Sequence, residues 1–300
     1  MTTYPQPIRI SARRIPWLGR SQLLVTHRSD PVLVLAAALV VLFAVAALFP
    51  AVLQTDDPLA QHLSNANEGP SASHWFGTDR LGRDVFSRAV AASRPSLLMG
   101  FVPVLIAVVG GGVIGLVAGY WQRFGDLTIM RVMDMMMAFP ALILTLMIVA
   151  ALGARSDTSG RVAMIAIGIA FIPGFARMMR SSVLATKEQL FVESARSSGA
   201  SDLRIMCRHI VPNAVNPLIV LATLSIGSAI LAGASLSFIG MATAPPAIDW
   251  GTMISDGRQN LSTAWWISTF PGLAMMLAAV AINVLGDALR DRLDPRLSRR

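Results

Sequence analysis

Six long stretches without a formal charge constrain this chain more than any other feature. Asp30 to Asp56 encloses 25 uncharged positions, Arg94 to Arg123 encloses 28, and Asp134 to Arg155 encloses 20. Arg161 to Arg177 encloses 15, Arg208 to Asp249 encloses 40, and Arg258 to Asp287 encloses 28. A helix that crosses a bilayer needs about 20 largely apolar residues. The stretches therefore predict six transmembrane helices in an all-α polytopic membrane protein, near 32–53, 96–120, 132–152, 162–180, 214–240 and 265–286. The fourth is short and interrupted by Pro173-Gly174. Arg161 and Arg177 can lengthen it by snorkelling to opposite headgroup layers, and a re-entrant segment is the alternative there. The 40-residue stretch holds one span, opened by Pro212 and Pro217 and closed by Gly240 and Pro245-Pro246.

Charged residues make up 14% of the 300 residues, against about 25% in soluble domains. That balance excludes an ordinary cytosolic enzyme. A single cysteine, Cys207, excludes an intrachain disulfide. The net charge of +8 comes from scattered arginines without aromatic interleaving, which argues against a nucleic-acid partner. With the N-terminus inside, alternate connections hold 18 Lys and Arg inside and 7 outside. The positive-inside rule then predicts an N-in, C-in chain. Residues 1–30 form a cytoplasmic N-terminal segment in this reading, and the first span is an uncleaved anchor.

The middles of spans two, five and six carry no ionisable residue, which disfavours a proton- or sodium-coupled carrier. Arg131 and Asp134 are expected to pair locally, and Asn283 and Asp287 to share a structural hydrogen bond. Ala107, Gly111, Gly115 and Gly119 form a small-residue stripe on span two; Ser225, Ala229, Gly233 and Ser237 form one on span five. Such stripes let backbones approach closely, either within the bundle or at a pathway shared with another subunit. In the long outer connection, Arg80 to Arg88 reads as a short amphipathic helix capped by Thr78 or Asp79, with Arg80/Asp84 and Asp84/Arg88 as i,i+4 pairs. Trp250, Trp265 and Trp266 read as interface anchors, and Pro245-Pro246 with Trp250-Gly251 as an ordered outer loop.

The inner connection between spans four and five, residues 181–212, carries the most specific pattern. Glu188 to Ser198 has helix propensity, and Gly199 suits the left-handed position that ends a helix. A second helical piece, Asp202 to His209, follows with Ser201 as N-cap, and Pro212 ends it. Two short helices around a sharp glycine turn make a compact, rigid protrusion. Cys207 and His209 lie here without enough neighbouring ligands for a metal site.

Glu193, Ala195, Gly199 and Pro212 match the spacing of the EAA signature, Glu-Ala-Ala-x3-Gly-x9-Ile-x-Leu-Pro, and depart from it at Ser194, His209 and Val211. The chain thereby resembles the membrane subunits of bacterial ABC importers. His74 to Asp79 with Leu81 to Asp84, Gly199 to Arg204, Arg208 to Asn213, Ala234 to Gly240 and Gly286 to Asp291 are similar to one branch. That branch is the C-type permease subunit of dipeptide, oligopeptide and nickel importers, and the likeness runs from about residue 30 to 297.

The resemblance implies an ABC type I importer permease fold in the bacterial cytoplasmic (inner) membrane. It implies a heterodimer with a B-type permease subunit, two ATPase subunits beneath it and an extracytoplasmic binding protein. Glu193, Ser194, Ala195, Gly199 and Pro212 would form the coupling element seated on an ATPase. The chain lacks a Gly-x4-Gly-Lys-Ser/Thr loop, so no cofactor of its own is expected and ATP belongs to the partners. No catalytic residue or metal ligand is expected. Di- or oligopeptide is the expected cargo, with nickel or another small solute as the alternative. A stand-alone secondary carrier is the rival transport class, and an intramembrane enzyme finds no motif.

Overall fold

The computed structural model describes residues 31–122, 124–153, 159–243 and 246–293. The N-terminal segment 1–30, Arg155 and Pro245 fall outside these. The described chain is helical and contains α1 (Pro31–Leu48), α2 (Pro50–Leu53), α3 (Val85–Trp121), α4 (Phe124–Met137), α5 (Ala141–Leu152) and α6 (Ser159–Lys187). It continues with α7 (Leu190–Ser197), α8 (Asp202–Ile205), α9 (Val211–Phe238), α10 (Trp250–Gly257) and α11 (Trp266–Leu293).

The glycine stripe on α3 decides the arrangement. A Cβ at Gly111 would stand 2.5 Å from Phe175 Cβ and 2.8 Å from Ala176 N. One at Gly115 would strike Ala176 O and lie 2.7 Å from Met179 Cβ, and one at Gly119 would lie 2.9 Å from Val183 Cβ. Absent side chains thus let the α3 and α6 backbones touch over about two and a half turns. Lipid offers helices no hydrophobic reason to associate, so this close van der Waals contact supplies the attraction. Both sequences ascend along the contact, so α3 and α6 run parallel.

Parallel α3 and α6 require the chain between them to return across the bundle. It does so as a broken span, α4 and α5, bent by 102°. The break falls at Ala138 to Pro140, where the Ala138 and Phe139 N–H groups make turn bonds to Asp134 O, Met135 O and Met136 O. The single helix expected over 132–152 is corrected accordingly. The interruption expected at Pro173-Gly174 is absent, because α6 runs unbroken through Pro173. Neighbours decide between the two prolines. Pro173 lies where α3 grips α6 on both sides, through Ile106 at Gly168 and Phe175 at Gly111. A proline that cannot donate is tolerated in a membrane helix when packing fixes its direction.

α9 runs antiparallel to α3, with Gly100 against Ile226 and Ile230 and Gly233 against Met99. α11 returns beside α9 through Gly286 against Thr223. Asn283 faces Gly227 there, and its buried Oδ1 has no hydrogen-bond partner. Among the described residues its amide N–H groups make no bond to Asp287 either, in place of the one expected. Among the described residues five helices are long and apolar enough to span, and the bent pair, taken as one span, makes six. Pro31 and Leu293 both lie at the end of the bundle that carries α7 and α8. We call this the elbow end, and the end that carries residues 54–84 and α10 the cap end.

Residues 54–84 form a knot. Thr78 is fully buried; its Oγ1 accepts from Glu68 N at 2.9 Å, and its carbonyl accepts from Trp266 Nε1 at 3.0 Å. Asp79 Oδ1 accepts the N–H groups of Leu81 at 2.8 Å and Arg83 at 3.1 Å, closing a turn in which Gly82 has φ 71°. A helix over 80–88 is therefore ruled out. Asp84, rather than Thr78 or Asp79, caps α3 by accepting from Ser87 N at 2.7 Å. The second span starts at Val85 instead of 96, and Arg83 pairs with Asp79 at 2.7 Å instead of the expected Asp84 pairs. Trp250 and Trp266 are buried rather than interfacial. The indole of Trp250 donates to Ala89 O at 3.0 Å, and only Trp265 of the three stays exposed.

A Cβ at Gly112 would only touch Leu218 Cδ2, at 3.4 Å. Gly115→Ala should therefore cost about 1–3 kcal/mol through overpacking and lower the midpoint of thermal unfolding in micelles. Gly112→Ala should leave that midpoint nearly unchanged.

Candidate functional site

The elbow end holds the predicted coupling residues in one structure. α7 spans Leu190–Ser197, within the expected 188–198. Gly199 follows with φ 79°, in the left-handed region that favours glycine. Its N–H donates to Arg196 O at 3.0 Å, and Ala200 N–H donates to Ala195 O at 3.1 Å. These two bonds make a Schellman C-cap, which satisfies carbonyls that the helix end leaves free. Ala195 and Ala200 both pack on the core, the apolar contact that accompanies such a cap. Glu193 and Ser194 point to solvent on the outer side of α7, while Val192 is its buried anchor.

The second arm differs from the sequence reading. Ser201 occupies the N-cap position of α8 without a side-chain capping bond. Pro212 does not end the arm. α8 passes through a π turn, Met206–Ile210, straight into α9, so Asp202 to Phe238 forms one rod of 37 residues. In the widened turn Val211 N–H reaches Met206 O, five residues back, and Pro212 follows at once, so its missing donor falls where the regular i to i−4 ladder is already interrupted. The expected span 214–240 is the far part of this rod.

Three contacts lock the elbow to the spans. The Tyr120 hydroxyl, at the end of α3, donates to Asp202 Oδ1 at 2.5 Å. Lys187 Nζ, at the end of α6, donates to Tyr120 O at 2.6 Å and lies 5.3 Å from the centre of the Tyr120 ring. Val192, Ile205, Met206 and Ile210 are buried in one core with Met179 and Val183 of α6. Beside them, Arg180 grips Asp126 with two bonds of 2.7 and 2.6 Å, and Arg177 bonds Asp134 at 2.7 Å. The latter replaces the expected Arg131–Asp134 pair, because the helix turn from Arg177 to Arg180 aligns both guanidinium groups with α4. α4 is thereby clamped to α6.

No motif marks Tyr120, Lys187 and Asp202 as an elbow lock; an aromatic hydroxyl near the end of a span is the one local signal. Nor does a motif mark the apolar residues that the elbow presents to solvent, Leu190 at 80% and Leu203 at 68% exposure. The span-five stripe divides. Ala229, Gly233 and Ser237 are buried within this chain, Gly233 against Met99 of α3 and Ser237 bonded to Asp249 Oδ2 at 2.8 Å. Ser225 instead lines a cleft of about 390 Å³ at the bend between α4 and α5, with Met136, Phe139, Phe171 and Leu221. Cys207 is exposed, and His209 faces the Phe191 ring at 6.5 Å. Among the described residues no three His, Cys, Asp or Glu side chains come together as a metal site would require.

Residues 111–299 match the family of binding-protein-dependent transport system inner membrane components. This chain belongs to that family. The permease is 43% identical over 255 residues to a dipeptide transport system permease protein of Alkalihalophilus pseudofirmus, covering 85% of this chain and 83% of the relative. It is 41% identical over 269 residues to a probable D,D-dipeptide transport system permease protein of Escherichia coli, covering 90% and 89%. A glutathione transport system permease protein of Pectobacterium atrosepticum is 42% identical over 231 residues, covering 77% and 75%. The fold is shared with the inward-facing MetNI methionine ABC transporter, at a TM-score of 0.57 and 19% identity over 69% of this chain and 96% of that one. The permease is thus an inner-membrane subunit of an ABC transport system, in a family of transport permeases rather than enzymes. The alternative of nickel finds no support in these relatives, and a stand-alone carrier gives way to the family.

Tyr120→Phe removes one hydrogen bond to a carboxylate, worth about 1.5–3 kcal/mol. Amide hydrogen exchange across Leu190–Ile205 should speed up about tenfold or more, while exchange in the middle of α3 stays unchanged.

Proposed function

We propose that this permease forms half of the translocation pathway of an ATP-driven importer of di- and oligopeptides. The elbow is its transmission. The observation that carries this reading is mechanical. The α7 helix turns at a glycine cap into a rod that is itself a membrane span, and the elbow is locked to the ends of α3 and α6. Displacing α7 therefore displaces three spans together.

In this reading the elbow end faces the cytosol, as the count of 18 inner against 7 outer basic residues supports. Residues 1–30 and the coupling loop 181–212 lie on that side. Glu193 and Ser194, with the exposed Leu190 and Leu203, seat α7 in a groove of an ATPase subunit, and Ala195 and Gly199 hold its shape. Pro212 begins the rod. ATP is bound by two such partners, and this chain binds no cofactor. A B-type permease completes the pathway, meeting this chain along the face that carries Ser225 and the cleft at the α4–α5 bend. A binding protein delivers cargo to the cap end.

Closure of the ATPases then exchanges inward- for outward-facing states. Moving such an equilibrium from 1:99 to 99:1 needs about 5.5 kcal/mol of differential binding, which nucleotide at the ATPase interface supplies. The names of the relatives, dipeptide, D,D-dipeptide and glutathione permeases, support a peptide cargo.

Gly199→Pro demands φ near −65° where the turn has 79°, and Glu193→Arg reverses the charge on the seating face. In proteoliposomes holding the complete transporter, both variants should insert normally and abolish ATP-driven uptake of radiolabelled dialanine. Uptake at the unsubstituted rate would refute the transmission role, and uptake driven by an ion gradient without ATP would refute the transport class.

A further inference from the structure

A second polar site lies at the cap end, away from the elbow and the apolar cleft. Between the 54–84 knot and the α9–α10 connection opens a cleft of about 570 Å³, within the usual size of small-molecule sites. Arg80, Arg83 and Arg88 line it, as do Thr252, Ser255 and Asp256 of α10.

The pairing in this cleft is incomplete in a specific way. Asp79 is fully engaged: Oδ1 takes two backbone N–H groups, and Oδ2 takes Arg83 Nε at 2.7 Å. Arg88 is 96% buried, since its exposure is 4%, yet its Nε stands 3.5 Å from that same Oδ2. Its Nη1 bonds only Pro58 O, at 3.3 Å. The remaining arms, Arg83 Nη2 and Arg88 Nη2, converge on one atom, Asp256 Oδ2, each at 3.9 Å. That is beyond hydrogen-bond reach but close enough to frame an oxygen placed between them. Three arginines and one carboxylate, Asp256, line the cleft, while buried Asp79 stands behind Arg83 and Arg88. A buried guanidinium is stable when its N–H groups meet acceptors, and two guanidinium forks side by side suit a carboxylate.

We infer that this cleft binds a carboxylate of a small solute, held by Arg83 and Arg88 while the half-exposed Asp256 swings into water. Asp256 is a resident competitor that offsets part of the positive charge of the unliganded site. Ser237, at the cap end of the α9 rod, forms part of the cleft, so the site lies at the mouth of the bundle. On the peptide reading above, on which this assignment rests, the carboxylate is the free C-terminus of the cargo on its way from the binding protein. A partly open cleft of this volume suits a short peptide terminus.

The test is saturation-transfer NMR on the intact permease–ATPase complex in nanodiscs, without binding protein, with dialanine and its C-terminal amide as probes. Dialanine should bind at least about tenfold more tightly than the amide, the scale of a charge-assisted pair. Arg83→Gln should abolish that preference. Asp256→Asn should strengthen dialanine binding about threefold, an opposite shift that a merely structural role for the cluster does not produce. Equal binding of both probes to the unsubstituted complex, or weaker dialanine binding in Asp256→Asn, overturns the proposal. ATP-driven dialanine uptake by the same preparation, with binding protein added, reports separately on the peptide reading. A complex that prefers the carboxylate but imports no dialanine keeps the site and removes the cargo.

Discussion

Close contact between the α3 and α6 backbones sets the rest of the structure. Helices in lipid lack the drive that water gives to association, so attraction must come from packing density, and density requires small residues on the contact line. Gly111, Gly115 and Gly119 supply them against Phe175, Met179 and Val183. The contact makes two spans parallel. A parallel pair cannot be joined by a short turn, so α4 and α5 must cross between them, and the clamp of Asp126 and Asp134 onto α6 holds the first half of that crossing, α4, close. The rigid pair then reaches both ends of the bundle, with the elbow fastened below and the cap knot continuing from α3 above.

Polar chemistry collects at those two ends. Inside the bundle the lining is apolar or neutral, and an ionised group at mid-bilayer would cost about 2.5–3.5 kcal/mol on insertion scales. The elbow end holds the tyrosine–aspartate–lysine lock and the α4–α6 ion pairs. The cap end holds the Asp79–Arg83–Arg88 cluster and the His74–Asp84 contact of 3.1 Å. In the proposed mechanism each end handles one exchange, mechanical force at the elbow and solute at the cap. The long helices between them carry motion without providing a tight site.

Much of this was legible in the residues because it rests on properties that act locally. Charge-free length predicts spans, a small-xxx-small stripe predicts close approach, and a glycine after a polar helix predicts a left-handed cap at Gly199. What was not legible depends on neighbours distant in sequence. Pro140 breaks its span while Pro173 does not, because only the second is gripped by another helix on both sides. Asp84 takes the cap position that Thr78 or Asp79 was expected to fill, because Thr78 is consumed by Glu68 and Trp266. Trp250 and Trp266 look like interface anchors until Ala89 O and Thr78 O offer buried acceptors. Pro212 reads as a terminator, and only the π turn before it lets the helix continue. At the candidate site, the motif located the elbow, but its lock to Tyr120, 82 residues away, needed the fold.

In the proposed function α7 is the part of this subunit that a separate motor grips. Cross-linking from Ser194→Cys in a Cys207→Ser background, in inside-out membrane vesicles containing the whole transporter, addresses it most directly. One adduct is expected, to the ATP-binding subunit, formed in both nucleotide-free and ATP-bound states because the elbow stays seated throughout the cycle. An adduct to the extracytoplasmic binding protein, or failure of the ATPase to cross-link in either state, would contradict it.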